Sequence, residues 1–70
     1  MAESLRGGVI GAGVFGGYHA RQYAQAEGAV LSAVFDTHPD RAARVAVPLG
    51  GRGFTDLAAF LDAVDVVTIA

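Results

Sequence analysis

The segment Gly8-Val-Ile-Gly-Ala-Gly-Val-Phe-Gly16 decides the fold of this chain. It joins a short apolar run to a turn with glycines at positions 11, 13 and 16, and then to the beginning of a helical pattern. Asp36 follows 20 residues after Gly16, at the end of the apolar run Val30-Leu-Ser-Ala-Val-Phe35. A strand, a glycine turn, a helix and a second strand that ends in an acid form the arrangement that holds the pyrophosphate and adenosine ribose of a dinucleotide.

Each position of the glycine turn has a physical role in this interpretation. We expect Gly11 to permit a tight turn, Gly13 to let the pyrophosphate approach the backbone, and Gly16 to let helix and strand pack closely. The amides of Val14 and Phe15 begin the helix, where free N–H groups and the helix dipole favour an anion. A glycine turn that serves packing alone is the alternative, but the flanking strand, helix and acid favour nucleotide binding.

Asp36 is the predicted ribose ligand. Its carboxylate would accept hydrogen bonds from the ribose hydroxyls and repel a 2′-phosphate, which favours NAD and leaves NADP possible. The alternative is an acid that caps the next helix. Arg41 would stack on the adenine or partly neutralise a 2′-phosphate. The alternative is that Arg41 is a solvated helix residue. We interpret His19 as a structural residue bonded to a nearby backbone group and His38 as a cap or exposed turn residue.

The rest of the chain alternates short apolar runs with helical patterns. This pattern predicts a doubly wound parallel sheet of the Rossmann type, α/β in class, with the strand order 3-2-1-4 and truncated after the fourth strand. The predicted strands cover about 6–11, 29–36, 52–54 and 65–70, and the predicted helices about 14–27, 39–47 and 56–63. All strands would point their carboxyl ends at one crevice.

Several positions are predicted to end helices or to be buried. We expect Gly28 to end the first helix, Thr37 or His38 to cap the second, and Thr55 to cap the third. The second and fourth strands read as buried on both faces. Apolar stripes predict the buried face of each helix: Gly16, Ala20, Tyr23 and Ala24; Ala42, Val45, Ala46 and Leu49; Leu57, Phe60, Leu61 and Val64.

Composition excludes several classes of protein. A net charge of −2 and scattered arginines argue against nucleic-acid binding, and the lack of cysteine excludes disulfides and thiolate metal sites. The two histidines lie too far apart to form a local metal-ligand pair, and no apolar run reaches the ~18 residues that span a bilayer.

The first residues do not resemble a secretory signal, so a cytoplasmic protein is expected. An end at Ala70 within an apolar run predicts a truncated domain.

Three segments in register resemble the N-terminal half-domain of the Gfo/Idh/MocA oxidoreductases. They are Gly11-Ala-Gly-Val-Phe-Gly-Gly-Tyr-His19, Val34-Phe-Asp-Thr-His-Pro-Asp-Arg-Ala42 and Asp65-Val-Val-Thr-Ile-Ala70. The resemblance extends over nearly all of the chain. It implies that residues 1–70 are the N-terminal part of a dinucleotide-binding domain and that the substrate domain lies outside this chain.

The resemblance implies hydride transfer between a nicotinamide cofactor and a sugar or cyclitol carbon that bears a hydroxyl. Gly11, Gly13, Gly16 and Asp36 match the cofactor-binding positions, and Ala70 falls at a strand end beside the cofactor. The general base of the family is typically a lysine, and this chain contains none, so no residue here is predicted to be catalytic. The resemblance also implies a homo-oligomer.

Two other classes compete with the dehydrogenase interpretation. A non-catalytic nucleotide-sensing domain, as in regulators of channels and transporters, uses a similar glycine turn and acid. A methyltransferase is weaker, since its methyl donor has no pyrophosphate and would not require a complete glycine turn.

Overall fold

The computed structural model describes residues 4–70. Its elements are β1 (Leu5–Ile10), α1 (Val14–Gln25), β2 (Ala29–Phe35), α2 (Pro39–Ala46), β3 (Arg52–Phe54), α3 (Leu57–Asp62) and β4 (Val66–Ile69), with a 3-10 turn (Val47–Leu49) after α2. The strands form one parallel sheet in the order β3-β2-β1-β4. This confirms the predicted Rossmann-type sheet and its strand order.

Two adjacent glycines in β1 allow helices to pack on both faces of the sheet. A Cβ built on Gly7 would overlap the ring of Tyr23, which belongs to α1. A Cβ on Gly8 would lie 2.7 Å from Phe60, which belongs to α3. Because successive strand residues face opposite sides, α1 and α3 cover opposite faces, as a doubly wound sheet requires.

The core is largest on the side of α1 and α2. There the buried residues pack as one cluster: Val9, Ala20, Leu31, Val34, Ala42 and Ala46. On the other side the ring of Phe60 is fully buried and lies 6.0 Å from the ring of Phe35 and 6.3 Å from that of Phe54, edge to face in both pairs. Aromatic pairs in this geometry add to the stability that burial alone provides.

Two predicted helix ends were wrong. The helix α1 ends at Gln25, with Ala26 as its C-cap in an extended conformation, and Gly28 takes a φ of 77° only in the loop before β2. The N-cap of α3 is Asp56 and not Thr55, because the Asp56 carboxylate accepts hydrogen bonds from the amides of Ala58 and Ala59. A carboxylate there also interacts favourably with the positive end of the helix.

The extent of burial was overestimated at several positions. Ala24 and Val30 are exposed, and of the predicted α3 stripe only Phe60 is buried. In β4, Ile69 is 78% exposed, although the prediction was a buried strand. The reason is that, among the residues that the structure describes, β4 pairs with β1 alone, and that α3 has six residues, too few to cover this side of the sheet.

Two polar contacts fix the position of β4 relative to the N-terminal elements. The guanidinium of Arg6 donates a 3.0 Å hydrogen bond to the Asp65 carboxylate, which lowers the pKa of Asp65. The hydroxyl oxygens of Tyr23 and Thr68 lie 2.8 Å apart in a partly buried contact, so α1 is bonded directly to β4.

Substitution of Tyr23 by phenylalanine should test that second contact. We expect a loss of about 1 kcal/mol in the free energy of unfolding, because Thr68 would keep a partly buried hydroxyl without its partner. Thermal unfolding of the protein measures the effect. Tyr18→Phe is the matched control, since the Tyr18 side chain is 52% exposed on the same helix, and equal shifts for both variants would contradict the expectation.

Candidate functional site

The glycine turn has the geometry that its sequence predicts. Gly11 has a φ of 102°, which a residue with a side chain rarely adopts, and its amide donates a 2.8 Å hydrogen bond to the carbonyl of Phe35. A Cβ on Gly16 would overlap the carbonyl oxygen of Gly11 and lie 2.7 Å from the carbonyl carbon. The turn and the first turn of α1 are therefore in direct backbone contact, and only glycine fits at position 16.

The N-terminus of α1 is free of any side-chain cap within the described residues. Its N-cap is Gly13, which has no side chain, and the first helical bond runs from the Gly17 amide to the Gly13 carbonyl at 2.9 Å. The amides of the first turn, at Val14, Phe15 and Gly16, therefore have no acceptor within the helix. Such amides, together with the helix dipole, favour a bound anion.

A cleft of about 220 Å³ opens at this end of the sheet. Six of the predicted site residues line it: Gly11, Gly13, Val14, Phe15, Gly16 and Ala70. A Cβ built on Gly13 would meet no atom within 4 Å, so the space over that residue is not filled by the protein. Ala70 is held beside the turn by a 3.0 Å bond from its amide to the carbonyl of Ile10.

Asp36 bridges the glycine turn and the start of α2. Its Oδ2 accepts a 3.0 Å hydrogen bond from the amide of Ala12, and its Oδ1 accepts one of 2.8 Å from the amide of His38. These two bonds, that from His38 foremost, lower the pKa of Asp36 below its ordinary value, so the group is ionised at neutral pH. Each carboxylate oxygen can accept a further bond, which leaves capacity for a ribose hydroxyl.

The helix-cap alternative for Asp36 describes only part of its geometry. The carboxylate does bond to the amide of His38, the N-cap residue of α2, as an acid at a turn often does. The bond to Ala12 is different, because that residue lies 24 positions earlier in the other half of the site. Asp36 therefore places its carboxylate against the glycine turn as well as against its own loop.

Two of the predicted residues, Asp36 and Arg41, are not among those that line the cleft. Arg41 is exposed in the first turn of α2 and does not line the cleft. Val14 and Phe15 line the cleft but are 87% and 74% exposed, and both also border a second cleft of about 340 Å³ along α1 with Tyr18 and His19. The ring of His19 packs edge to face on Tyr18, with centroids 5.6 Å apart, and makes no hydrogen bond to a described backbone group.

His38 contacts Asp36 of the candidate site, and this contact was not predicted. Its Nδ1 lies 3.2 Å from Oδ1 of Asp36, and its amide bonds to the same oxygen. The Asp-x-His spacing could have predicted this contact. An aspartate side chain at a turn often accepts a hydrogen bond from the backbone amide two residues later, which brings that residue close. The Ala12 contact could also have been found, since parallel β1 and β2 end in register at Ile10 and Phe35.

The described residues fit the phosphates and ribose of a dinucleotide. The open space over Gly13, the uncapped amides of α1 and the ionised carboxylate of Asp36 stand at one end of the sheet, where ligands of such folds bind. Among residues 4–70 no cluster of histidine, aspartate and glutamate could hold a metal ion. Across the same residues, every helix falls short of the length and apolar character that crossing a bilayer takes.

Comparison with known proteins shows relatives with the same architecture. A UDP-N-acetylglucosamine 3-dehydrogenase of Acidithiobacillus ferrooxidans is 45% identical over 65 residues, which are 93% of this chain and 20% of the relative. A crystal form of this enzyme aligns with a TM-score of 0.84 at 43% identity, over 96% of this chain and 22% of that one. The chain thus spans about a fifth of the length of the curated relative.

Two further solved structures are similar. GenD2 from gentamicin A biosynthesis, solved in complex with NAD, aligns over all of this chain and 21% of its own, with a TM-score of 0.89 and 32% identity. A myo-inositol dehydrogenase from Corynebacterium glutamicum aligns over 96% of this chain and 21% of its own, with a TM-score of 0.86 and 25% identity.

A family model described as an oxidoreductase family with an NAD-binding Rossmann fold matches residues 5–70. The predicted family and the predicted NAD cofactor are thereby confirmed. The chain belongs to the Gfo/Idh/MocA oxidoreductase family and carries its NAD-binding Rossmann fold.

Proposed function

We propose that the complete protein is an NAD-dependent dehydrogenase that acts on a sugar or cyclitol carbon bearing a hydroxyl. Family membership and the identity of two relatives, a UDP-N-acetylglucosamine 3-dehydrogenase and a myo-inositol dehydrogenase, support this class of substrate. The regulatory alternative has no support from these relatives. A bound nicotinamide dinucleotide supplies the group that accepts or donates the hydride.

Within this function, residues 1–70 bind the pyrophosphate and adenosine half of the cofactor. The observation that carries this assignment is the bond from the Ala12 amide to Asp36, which joins the anion-binding turn to an ionised acid. Gly11, Gly13, Val14, Phe15 and Gly16 contact the pyrophosphate side, and Ala70 lies beside the cofactor. Asp36 accepts bonds from the ribose hydroxyls and favours NAD over NADP, with Arg41 close to the adenine.

The chemistry on the substrate belongs to the remainder of the protein. Removal of a proton from a substrate hydroxyl needs a base within hydrogen-bond reach, and the chain has no lysine to serve as the base typical of the family. We assign the base and the substrate site to a second domain outside this chain. A cytoplasmic homo-oligomer remains our expectation for the complete protein.

Substitution of Gly13 by serine tests the pyrophosphate assignment. Serine is a favoured N-cap, and its hydroxyl would accept a hydrogen bond from the first-turn amides that the pyrophosphate would otherwise use. We expect an unchanged or slightly raised melting temperature and an affinity for NAD at least about tenfold lower. Calorimetric titration of the complete protein with NAD measures the affinity.

Gly17→Ser is the matched control for this experiment. It makes the same chemical change four residues later, where a Cβ meets only the flexible end of Arg21 at 3.6 Å, outside the cleft. The control should bind NAD as the wild type does. Wild-type affinity in the Gly13 variant would contradict the assignment of the glycine turn to the pyrophosphate.

A further inference from the structure

The imidazole of His38 stands beside the acid that the proposed function assigns to the ribose. Its Nδ1 lies 3.2 Å from Oδ1 of Asp36 and 3.2 Å from the Thr37 hydroxyl. The His38 side chain is 62% exposed, whereas that of Asp36 is 12% exposed. The ring therefore shields the carboxylate from one side and presents its other edge to solvent.

The contact with Asp36 determines which ring nitrogen changes charge. An ionised carboxylate only accepts hydrogen bonds, so the contact requires a hydrogen on Nδ1. The neutral ring then carries no hydrogen on Nε2, and the second proton binds there. Protonation of His38 therefore adds a positive charge at the exposed edge without breaking the bond to Asp36.

Within the described residues, the charged group that pairs directly with this ring is Asp36. On α2, Asp40 and Arg41 are exposed in the first turn. On β3, the guanidinium of Arg52 lies over the ring of Phe54 at 5.2 Å. After β3, the Asp56 carboxylate is occupied by the amides at the start of α3.

We propose that His38 determines how strongly the site discriminates between NAD and NADP, through its charge. The inference rests on the proposed function, in which the adenosine ribose lies at Asp36. With neutral His38 the carboxylate presents a full negative charge to a 2′-phosphate and rejects NADP. When His38 is protonated, His38 and Asp36 together carry no net charge, and Nε2–H can donate a hydrogen bond to the phosphate oxygens. Discrimination against NADP therefore weakens.

Acid favours the protonated form of an imidazole, and this gives the expected pH dependence its direction. We expect the ratio of the NADP and NAD dissociation constants to fall as the pH falls. The 2′-phosphate itself loses charge near pH 6, so part of any such change belongs to the cofactor. A variant that cannot titrate at position 38 separates the two contributions.

The experiment compares the complete natural protein with its His38→Asn variant. Asparagine has an amide that can donate to Asp36 but does not change charge. Calorimetric titrations with NAD and with NADP, at about pH 8 and about pH 5.5, give the four dissociation constants of each protein. His19→Asn is the matched control, since it removes the other histidine of the chain, which lies on α1 away from Asp36.

We expect the ratio of dissociation constants to fall about fivefold more in the wild type and in the His19 control than in the His38 variant. By linkage, NADP binding should also take up more protons in the wild type than in the His38 variant, measured in buffers that differ in ionisation enthalpy. An equal pH dependence in the wild type and the His38 variant would overturn this inference alone. Failure of the wild type to bind either cofactor would overturn the proposed function and the inference with it.

Discussion

Replacement of Gly16 by alanine should destabilise the protein more than any other single methyl group added to the glycine turn. The new Cβ would overlap the carbonyl oxygen of Gly11, and this oxygen belongs to backbone that cannot rotate away. Either α1 moves off the sheet or the turn deforms. We expect a loss of about 3 kcal/mol or more, seen as a melting temperature lower by about 10 °C, with NAD binding lost as well.

The adjacent glycine provides the control. Gly17 is in the same helical turn, and its added Cβ would lie 3.6 Å from the flexible end of Arg21. Alanine also favours a helix interior by roughly 0.5–1 kcal/mol over glycine. Gly17→Ala should therefore keep or raise the melting temperature, and a similar decrease in both variants would mean that the contact between Gly16 and Gly11 is not what requires glycine.

Asp36→Asn should weaken NAD binding by about ten- to a hundredfold. The carboxylate accepts from two backbone amides, one on each oxygen, whereas an asparagine side chain has a single oxygen. One of the amides, at Ala12 or at His38, would then face an NH₂ group. The variant loses an acceptor for the ribose and the negative charge together, so affinity for NAD should fall more than affinity for NADP.

Asp40→Asn removes the same charge nearby and serves as the control for Asp36. Asp40 is exposed in the first turn of α2 and has no side-chain hydrogen bond among the described residues. Its variant should bind both cofactors as the wild type does. Equal losses in the two variants would show that general electrostatics near α2, rather than contact with the ribose, control the affinity.

The sequence predicted the order and type of the elements because the signals are local. Apolar runs, the glycine turn and Pro39 at the start of α2 determine strands, turn and helix with little help from distant residues. The end of α1 was less certain, since the helical pattern continues past Gln25 and the break at Ala26 occurs where the chain turns back to β2. The choice between Thr55 and Asp56 as a cap likewise depends on where β3 ends.

Burial was harder to predict than structure. Periodicity shows that Leu57 and Leu61 share a face of α3, but not how much protein covers that face, and both are nearly half exposed. The backbone geometry of the glycine turn was easier to predict, because the conformation of Gly11 and the close contact at Gly16 both require glycine. The contact of His38 with Asp36 was not predicted, since it depends on a side-chain conformation at the end of β2.

The pairing of β1 with β4 also constrains how the chain folds during synthesis. Arg6 and Asp65, which are joined at the start of these strands, lie 59 residues apart, and β1 is hydrogen-bonded on both sides only when β4 is present. A ribosome must therefore extrude nearly all of the segment before the central strand has both partners. Until then one side of β1 is an unpaired edge, and an edge of this kind is prone to pair with strands of other chains.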